Sequence, residues 1–190
     1  DMIMYEKVLN FLKSFIDQGL ACVPVSVNFS RLHLLDNDFL SKIVKKQCEY
    51  GVPAHLIEIE LTESAIFDNI DTIYAFTRKM HANGFAIAMD DFGSGYSSLN
   101  MLKDIPIDVL KIDKGFLSEA VDNNRRNIIF SSIADMARKL NIKVVVEGVE
   151  HLENVRLMKE CGCSIAQGYY FAKPMDEESF RNVFKEGRIC

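Results

Sequence analysis

Acidic and amide side chains recur at the ends of short apolar segments in this sequence. The stretch MDDFGSGYSSL places Asp90 and Asp91 side by side after an apolar run and before two glycines. Similar apolar segments end at Asn28 and Glu60, and a later one is followed by Glu147. Carboxylate and amide oxygens are the ligands that Mg²⁺ and Mn²⁺ prefer, and a shared carboxylate can hold two such ions about 4 Å apart. These residue types therefore predict a two-metal site.

Two further polar residues, Lys111 and Gln167, occupy equivalent positions after later apolar segments. A two-metal site activates a water molecule and clamps the attacking and leaving oxygens of a displacement at phosphorus. Lys111 could orient that water or neutralise charge on the phosphate, and Gln167 could hold a hydrogen bond at the same place. The predicted reaction is the hydrolysis of a phosphodiester.

Taken singly, each of these residues is also typical of a structural role. A lone acid at a strand end is more often a helix N-cap or a solvated turn residue, which is the simpler interpretation of Asp91. Glu58 lies deeper than Glu60 on the same strand face and is expected to form a structural ion pair. The DFG sequence is not accompanied by the H-R-D loop of a protein kinase. Three consecutive aromatic residues either pack under the sheet or stack on a base, namely Tyr169, Tyr170 and Phe171.

Helices and strands alternate along the chain. Apolar residues between Tyr5 and Ile16 recur at helical spacing, and Gly19 is suited to the C-cap of that helix. Further helices are predicted over 36–50, 71–82, 124–140 and 152–161, and from about residue 177, and a short element is predicted near 99–103. The six predicted strands lie in the segments VPVSVNFS, LIEIELTES, FAIAMDDFG, IPIDVLKID, IKVVVEGVE and SIAQGYYFAKP. This alternation predicts parallel βαβ units.

Two architectures contain such units, an open doubly wound sheet and a (β/α) barrel. An open sheet collects its functional residues at one switch point, whereas the strands of a barrel each deliver a residue to one mouth. Because all six predicted strands end in polar residues, we expect an α/β fold of the TIM-like barrel type. A complete barrel has eight strands in about 250 residues. We therefore expect an incomplete barrel of about six βα units, with the first two strands missing before residue 1.

Composition restricts the remaining possibilities. The 190-residue chain is 48% hydrophobic, so residues 1–190 are expected to form a single domain. A net charge of −5 argues against a nucleic-acid-binding surface. Five scattered cysteines without a C-x-x-C pair argue against a disulfide framework and are typical of a cytoplasmic protein. No apolar run reaches the length of a membrane span, so direct membrane insertion is not expected, although a longer parent protein could be membrane-tethered.

Six short motifs, in the same order, resemble those of one known family. They are SVNFS, ELTES, DDFGSGYSSL, IDVLKID, VVEGVE and QGYYFAKP, and together they cover essentially the whole chain. They closely resemble the EAL-domain phosphodiesterases, which hydrolyse the bacterial second messenger cyclic di-GMP to linear pGpG. The resemblance implies a modified TIM barrel that binds two Mg²⁺ or Mn²⁺ ions.

The resemblance also assigns roles to individual residues. It implies metal ligation by Asn28, Glu60, Asp90, Asp91 and Glu147. It implies catalytic roles for Lys111, Glu147 and Gln167, of which the first two position and deprotonate the attacking water. It implies that Glu63 anchors a switch loop containing Phe92, Gly93, Ser94 and Gly95, and that this loop couples the metal site to a homodimer interface. Substrate contacts are expected from Tyr170 and Pro174.

One departure from the family pattern concerns the motif that names the family. Glu-Ala-Leu followed closely by an arginine occurs nowhere in the sequence. The resemblance implies that this motif supplies a metal-binding glutamate and a phosphate contact. The chain alone is therefore expected to be weakly active or inactive, as a piece of a longer parent protein with other domains. The alternative is a non-catalytic cyclic di-GMP receptor, or a regulatory domain that binds a partner protein.

Overall fold

The strands of the protein form one parallel sheet in sequence order. The structure is a computed structural model and describes residues 1–30, 33, 36, 38–67, 70–94, 99–117 and 123–186. Strands β1 to β6 are Val25–Asn28, Ile57–Thr62, Ala86–Phe92, Val109–Ile112, Lys143–Val146 and Ile165–Ala166. Each strand pairs in parallel with the next. The sheet curls into a half-barrel, which confirms the predicted incomplete TIM-like barrel and its six strands.

The strands are connected through α-helices, as parallel strands require. Helices α1 to α8 in the described residues are Met2–Asp17, Phe39–Tyr50, Glu63–Phe67, Ile70–Ala82, Leu99–Asp104, Asn123–Lys139, Leu152–Glu160 and Glu177–Lys185. Single 3₁₀ turns occur at Ala54–Leu56 and Lys114–Phe116. Within the described part of the chain, none of these helices combines the length and the apolar character needed to cross a bilayer.

The two faces of the sheet differ in character because side chains alternate along a strand. Val27 pairs with Ile59, and Ile59 pairs with Ile87; all three are buried in the core. Asn28 pairs with Glu60 in the same register, one residue further along. If the strand pairing shifted by one residue, the apolar side chains would move to the polar face and the polar side chains to the core. Because burial of one aliphatic side chain contributes about 1.5–3 kcal/mol, such a shift is unfavourable. The apolar face therefore fixes the register that presents the polar residues.

Glu58, predicted to form an ion pair, has a neutral partner instead. Its Oε2 accepts a hydrogen bond of 3.0 Å from the hydroxyl of Ser26 on the neighbouring strand. The two residues are paired directly across β1 and β2, so the hydroxyl lies within reach of the carboxylate.

The first and last helices of the described chain pack against each other. The rings of Phe11 in α1 and Phe180 in α8 are 5.8 Å apart, and those of Phe15 and Phe184 are 5.6 Å apart, both edge to face. Helix α1 also packs on β1, at one end of the sheet order. Because α8 follows β6 in sequence, this aromatic contact joins the two ends of the half-barrel.

Candidate active site

A β-bulge brings two neighbouring acids to the same side of the sheet. Met89 pairs with Leu110 and Phe92 pairs with Ile112, so Asp90 and Asp91 together oppose a single residue of β4, Lys111. Asp91 has a φ of 57°, a left-handed conformation that Asp adopts more readily than most residues. In a regular strand the two carboxylates would point to opposite faces. The bulge allows both to face the same site.

The two aspartates meet a third acid at the next strand but one. One carboxylate oxygen from each of Asp90, Asp91 and Glu147 lies within 4.8 Å of the other two. Glu147 directly follows β5, and its backbone N–H donates to the carbonyl of Ile112 over 3.0 Å. That hydrogen bond extends the pairing of β4 and β5 by one residue and fixes the position of Glu147.

The buried ammonium of Lys111 lies at the centre of the site. Its Nζ is 2.6 Å from Glu60 Oε1, 2.7 Å from Glu147 Oε1 and 3.1 Å from Asp90 Oδ1. Burial acts to lower the pKa of Lys111, but hydrogen bonds to Glu147 and Glu60 outweigh it, so the pKa is raised above its ordinary value. Lys111 is therefore charged at neutral pH and links acids from three other strand ends.

Asn28 extends this network to β1. Its Nδ2 donates a hydrogen bond of 2.7 Å to Glu60 Oε2, and the other oxygen of Glu60 is held by Lys111. Glu60 is buried, whereas Asn28 is exposed. One network of hydrogen bonds and ion pairs therefore joins the strand-end residues Asn28, Glu60, Asp90, Lys111 and Glu147, which were predicted to converge.

Two acids of the site, Asp91 and Glu147, have raised pKa values. Burial raises the pKa of Asp91, and the nearby charges of Asp90 and Asp113 raise it further against the opposing effect of Lys111. Burial also raises the pKa of Glu147, although its hydrogen bond with Lys111 acts in the opposite direction. Carboxylates whose negative charge is unfavourable without a further cation are typical of a site that binds one.

The donor set fits hard divalent cations. Oδ1 of Asp90 is buried and accepts no hydrogen bond from the described residues, although it lies 3.1 Å from the ammonium of Lys111. A buried carboxylate oxygen left in this way has a lone pair available to a metal ion. The neighbouring carboxylates of Asp91 and Glu147 also offer oxygen atoms, which suit Mg²⁺ or Mn²⁺ better than zinc.

Glu63 contacts the segment that follows the bulge. Its Oε2 accepts a hydrogen bond of 3.3 Å from the backbone N–H of Gly93. Gly93 has a φ of 94°, and a Cβ there would lie 1.9 Å from the ring of Phe116, so only glycine fits. Phe92 is buried in the core, and the N–H of Ser94 donates to the carbonyl of Asp91. Gly95, also assigned to the switch loop, lies outside the described residues.

A cavity of about 830 Å³ opens beside the acids. Asp91, Glu147 and Gln167 are among its lining residues, and Pro174 and Phe180 contribute apolar surface. Gln167 is held there because its backbone N–H donates to Val146 and its carbonyl accepts from Val149. Gln167, predicted as a catalytic residue, and Pro174, predicted as a substrate contact, therefore both line this cavity.

Tyr170 and Asp113 differ in their relation to this cavity. Tyr170, predicted as a substrate contact, is not among the described residues that line the cavity, and its ring packs edge to face on Phe171. Asp113, which the sequence analysis did not single out, lines the cavity and caps the turn Lys114–Phe116 by accepting from Gly115 N. The available signal was its position two residues after Lys111.

Comparisons with known proteins agree with this architecture. The family model described as the EAL domain matches residues 1–174. The cyclic di-GMP phosphodiesterase NbdA of Pseudomonas aeruginosa is 38% identical over 164 residues, which are 86% of this chain and 21% of NbdA. The chain spans about a fifth to a quarter of the length of the curated relatives that it matches.

Solved structures with the same fold also include EAL-domain proteins. The phosphodiesterase PaMucR in complex with c-di-GMP superposes with a TM-score of 0.85 at 30% identity, over 93% of this chain and 71% of that one. The EAL domain of DcpA from Mycobacterium smegmatis superposes with a TM-score of 0.88 at 28% identity, over 97% of this chain and 83% of that one.

Proposed function

The chain belongs to the EAL domain family, and from this premise we propose that it is a phosphodiesterase domain that converts cyclic di-GMP to linear pGpG. The observation that carries the proposal is the convergence of Asp90, Asp91 and Glu147 beside the buried ammonium of Lys111. The names of NbdA and PaMucR, which describe phosphodiesterases, support the assignment. We further propose that residues 1–190 are one domain of a longer cytoplasmic or membrane-tethered protein.

The metal-binding role falls to the oxygen donors at the strand ends. Two Mg²⁺ or Mn²⁺ ions would be held by Asn28, Glu60, Asp90, Asp91 and Glu147. Such ions, when bound, supply an activated water and neutralise charge on the phosphate. For the chain's own residues, this role requires the carboxylates to be ionised and Asn28 to turn its amide oxygen towards the site.

Lys111, Glu147 and Gln167 would act on the reacting groups. Glu147 is positioned to accept a proton from the attacking water, and its raised pKa makes it a better proton acceptor at neutral pH than an ordinary glutamate. Lys111 holds that carboxylate through a contact of 2.7 Å and stabilises negative charge on the phosphate. Gln167 orients the substrate. The water oxygen bonds to phosphorus as the phosphorus–O3′ bond breaks, and the leaving O3′ takes up a proton, which gives a 5′-phosphate and a free 3′-hydroxyl.

Regulation is proposed for the segment anchored by Glu63. The hydrogen bond from Gly93 to Glu63 ties the residues after the bulge to helix α3, next to the acids. A homodimer formed through the loop after Asp91 would transmit its state to the site by this contact. The proposed switch loop also includes Phe92, Ser94 and Gly95.

A second candidate function is a non-catalytic receptor for cyclic di-GMP. For residues 1–190 taken alone, the observation that favours it is that this stretch lacks the Glu-Ala-Leu motif and its arginine. Without that glutamate and arginine, the strand-end acids can still bind metal and nucleotide, but turnover is expected to be slow. Tyr170 is retained as a proposed substrate contact.

The test is a comparison of binding with turnover. Cyclic di-GMP binding is measured by calorimetry with and without Mg²⁺ or Mn²⁺, and pGpG is measured by product chromatography. The variant Glu147→Gln is expected to abolish turnover, whereas Glu153→Gln, an exposed acid of α7, is the matched control. Binding with turnover that Glu147→Gln abolishes, however slow, supports the hydrolase, and binding without any turnover supports the receptor. Failure to bind cyclic di-GMP contradicts both.

A further inference from the structure

Helix α8 is docked by an arginine between aromatic rings. The guanidinium carbon of Arg181 lies 4.7 Å from the ring centre of Phe15 and 5.6 Å from that of Phe11. Its Nη2 donates to Ser14 Oγ over 2.8 Å and pairs with Glu177 over 3.0 Å. These contacts hold one face of α8 against α1 and set the position of the rings that α8 carries.

The two phenylalanines of α8 occupy different surroundings. Phe180 and Phe184 are one turn apart, stack on each other at 5.9 Å, and each contacts one ring of α1. Phe180 also lines the cavity that holds Asp91 and Glu147, whereas Phe184 is not among the described residues that line it. Helix α8 begins at residue 177, after the end of the family match at residue 174.

We propose that α8 forms the base-binding wall of the site, with Phe180 contacting a purine base of the substrate and Arg181 acting as the positioning residue. The inference deepens the proposed function and rests on it. The phosphate of a nucleotide belongs at the acids, where the cations would bind. Apolar surface is supplied to the cavity by Phe171, Pro174, Met175 and Phe180, and the base is the flat, stackable part of the ligand.

Phe180 is half-buried and retains surface towards the cavity. A residue that served only to dock α8 would be equivalent to Phe184, which makes a similar edge-to-face contact with α1. The pair therefore offers a matched comparison within one helix. If the ligand affects position 180 and not position 184, the residue at position 180 contacts the base and does not serve only to dock the helix.

A tryptophan reporter makes the comparison direct, because the chain contains no tryptophan. Phe180→Trp and Phe184→Trp each introduce one indole on α8. Guanine that stacks on an indole quenches its fluorescence. We expect cyclic di-GMP and GMP, in the presence of Mg²⁺, to quench the indole at position 180 and to leave the one at position 184 unchanged. Ribose 5-phosphate, which lacks the base, is expected to quench neither.

Affinity measurements test the two residues separately. Phe180→Leu keeps the apolar contact with α1 but removes the stacking surface, and is expected to weaken cyclic di-GMP binding about five-fold or more. Phe184→Leu is the control and is expected to change the affinity for cyclic di-GMP by less than two-fold. Arg181→Ala is expected to weaken nucleotide binding without changing Mg²⁺ affinity at the acids, and Arg181→Lys to restore it in part. A purely structural loss would lower both affinities.

The outcomes separate this inference from the proposed function. Quenching confined to position 180 supports the inference. Binding of cyclic di-GMP to the unsubstituted chain in equilibrium dialysis, without quenching at position 180, overturns the inference and leaves the proposed function standing. Quenching by GMP without any binding of cyclic di-GMP supports the base-binding wall and contradicts the proposed function. If neither nucleotide binds, both are wrong.

Discussion

The two ends of the parallel sheet both carry buried or half-buried acids, but these acids are satisfied in different ways. At the amino-terminal end, Oδ2 of Asp108 accepts hydrogen bonds from the N–H of Ile87 and from the ring of His81, both at 2.7 Å. At the carboxyl-terminal end, Glu60, Asp90 and Glu147 all contact the single ammonium of Lys111. The first arrangement completes the hydrogen bonding of one acid. The second leaves negative charge to be neutralised by something else.

The physical difference lies in what each end gains from folding. Asp108 exchanges water contacts at Oδ2 for two protein donors and so contributes to stability. The acids at the other end are buried close together, and burial first and the neighbouring negative charges second raise the pKa values of Asp91 and Glu147. A site that costs stability in this way is retained for a ligand of opposite charge. The amino-terminal end therefore stabilises the fold, whereas the carboxyl-terminal end is suited to bind a cation.

Replacement of Lys111 by methionine is expected to have the largest effect. The acids would lose their buried counter-charge, and breaking such a network lowers the free energy of unfolding by about 3–5 kcal/mol. Lys103→Met, which removes an exposed ammonium beside Asp104, is expected to cost less than about 1 kcal/mol. Urea denaturation with and without Mg²⁺ measures both, and part of the Lys111→Met loss should be recovered by Mg²⁺. Equal losses in the two variants would contradict the role given to Lys111.

Replacement of Asp108 by alanine is expected to lower the free energy of unfolding by about 1–3 kcal/mol, because the N–H of Ile87 loses its partner. The affinity for Mg²⁺ and for cyclic di-GMP should stay the same, since Asp108 lies at the opposite end of β4 from Lys111. Chemical denaturation and calorimetry check the two halves of this prediction. A parallel fall in Mg²⁺ affinity would show that the two ends are not independent.

The stabilisation of the protein by Mg²⁺ is expected to decrease from pH 7.5 to pH 5. The raised pKa values of Asp91 and Glu147 mean that the folded chain holds these protons more tightly than the unfolded chain. Their contribution to the stability of the metal-free protein is present at acidic pH and is lost as pH rises through the raised pKa values. Mg²⁺ binds the ionised carboxylates, so its effect has the opposite pH dependence. A loss of about 1 kcal/mol of this stabilisation corresponds to a decrease of about 2–4 °C in the thermal midpoint. If the Mg²⁺-induced shift in Tm did not depend on pH, ligation by these acids would be contradicted.

Asp91→Asn is expected to have the smallest effect on stability, and of opposite sign. Removing the charge relieves repulsion from Asp90 and Asp113, while asparagine tolerates the left-handed backbone at this position. The metal-free protein should gain about 0.5 kcal/mol, and Mg²⁺ affinity should fall at least ten-fold. Thermal melts with a Mg²⁺ titration measure both. A loss of stability in the metal-free protein would contradict the account of repulsion.

The half-barrel and the positions of its polar residues followed from the sequence. Alternation of helices with apolar strands predicts parallel pairing, and parallel pairing places every strand end at one edge. That reasoning located Asn28, Glu60, Lys111 and Glu147 without any tertiary information. It succeeded because periodicity and strand direction are local properties of the chain.

Contacts between strands and helices distant in sequence were decided only by the tertiary structure. The bulge that turns Asp90 and Asp91 to the same side depends on the register between β3 and β4, which no local pattern reveals. The partner of Glu58 proved to be Ser26, and the wall formed by α8 depends on how Arg181 docks on α1. The sequence by itself determined which side chains reach the strand ends. Packing between distant segments decided which of them share charge, because electrostatic energies depend on distances of a few ångströms that sequence spacing does not specify.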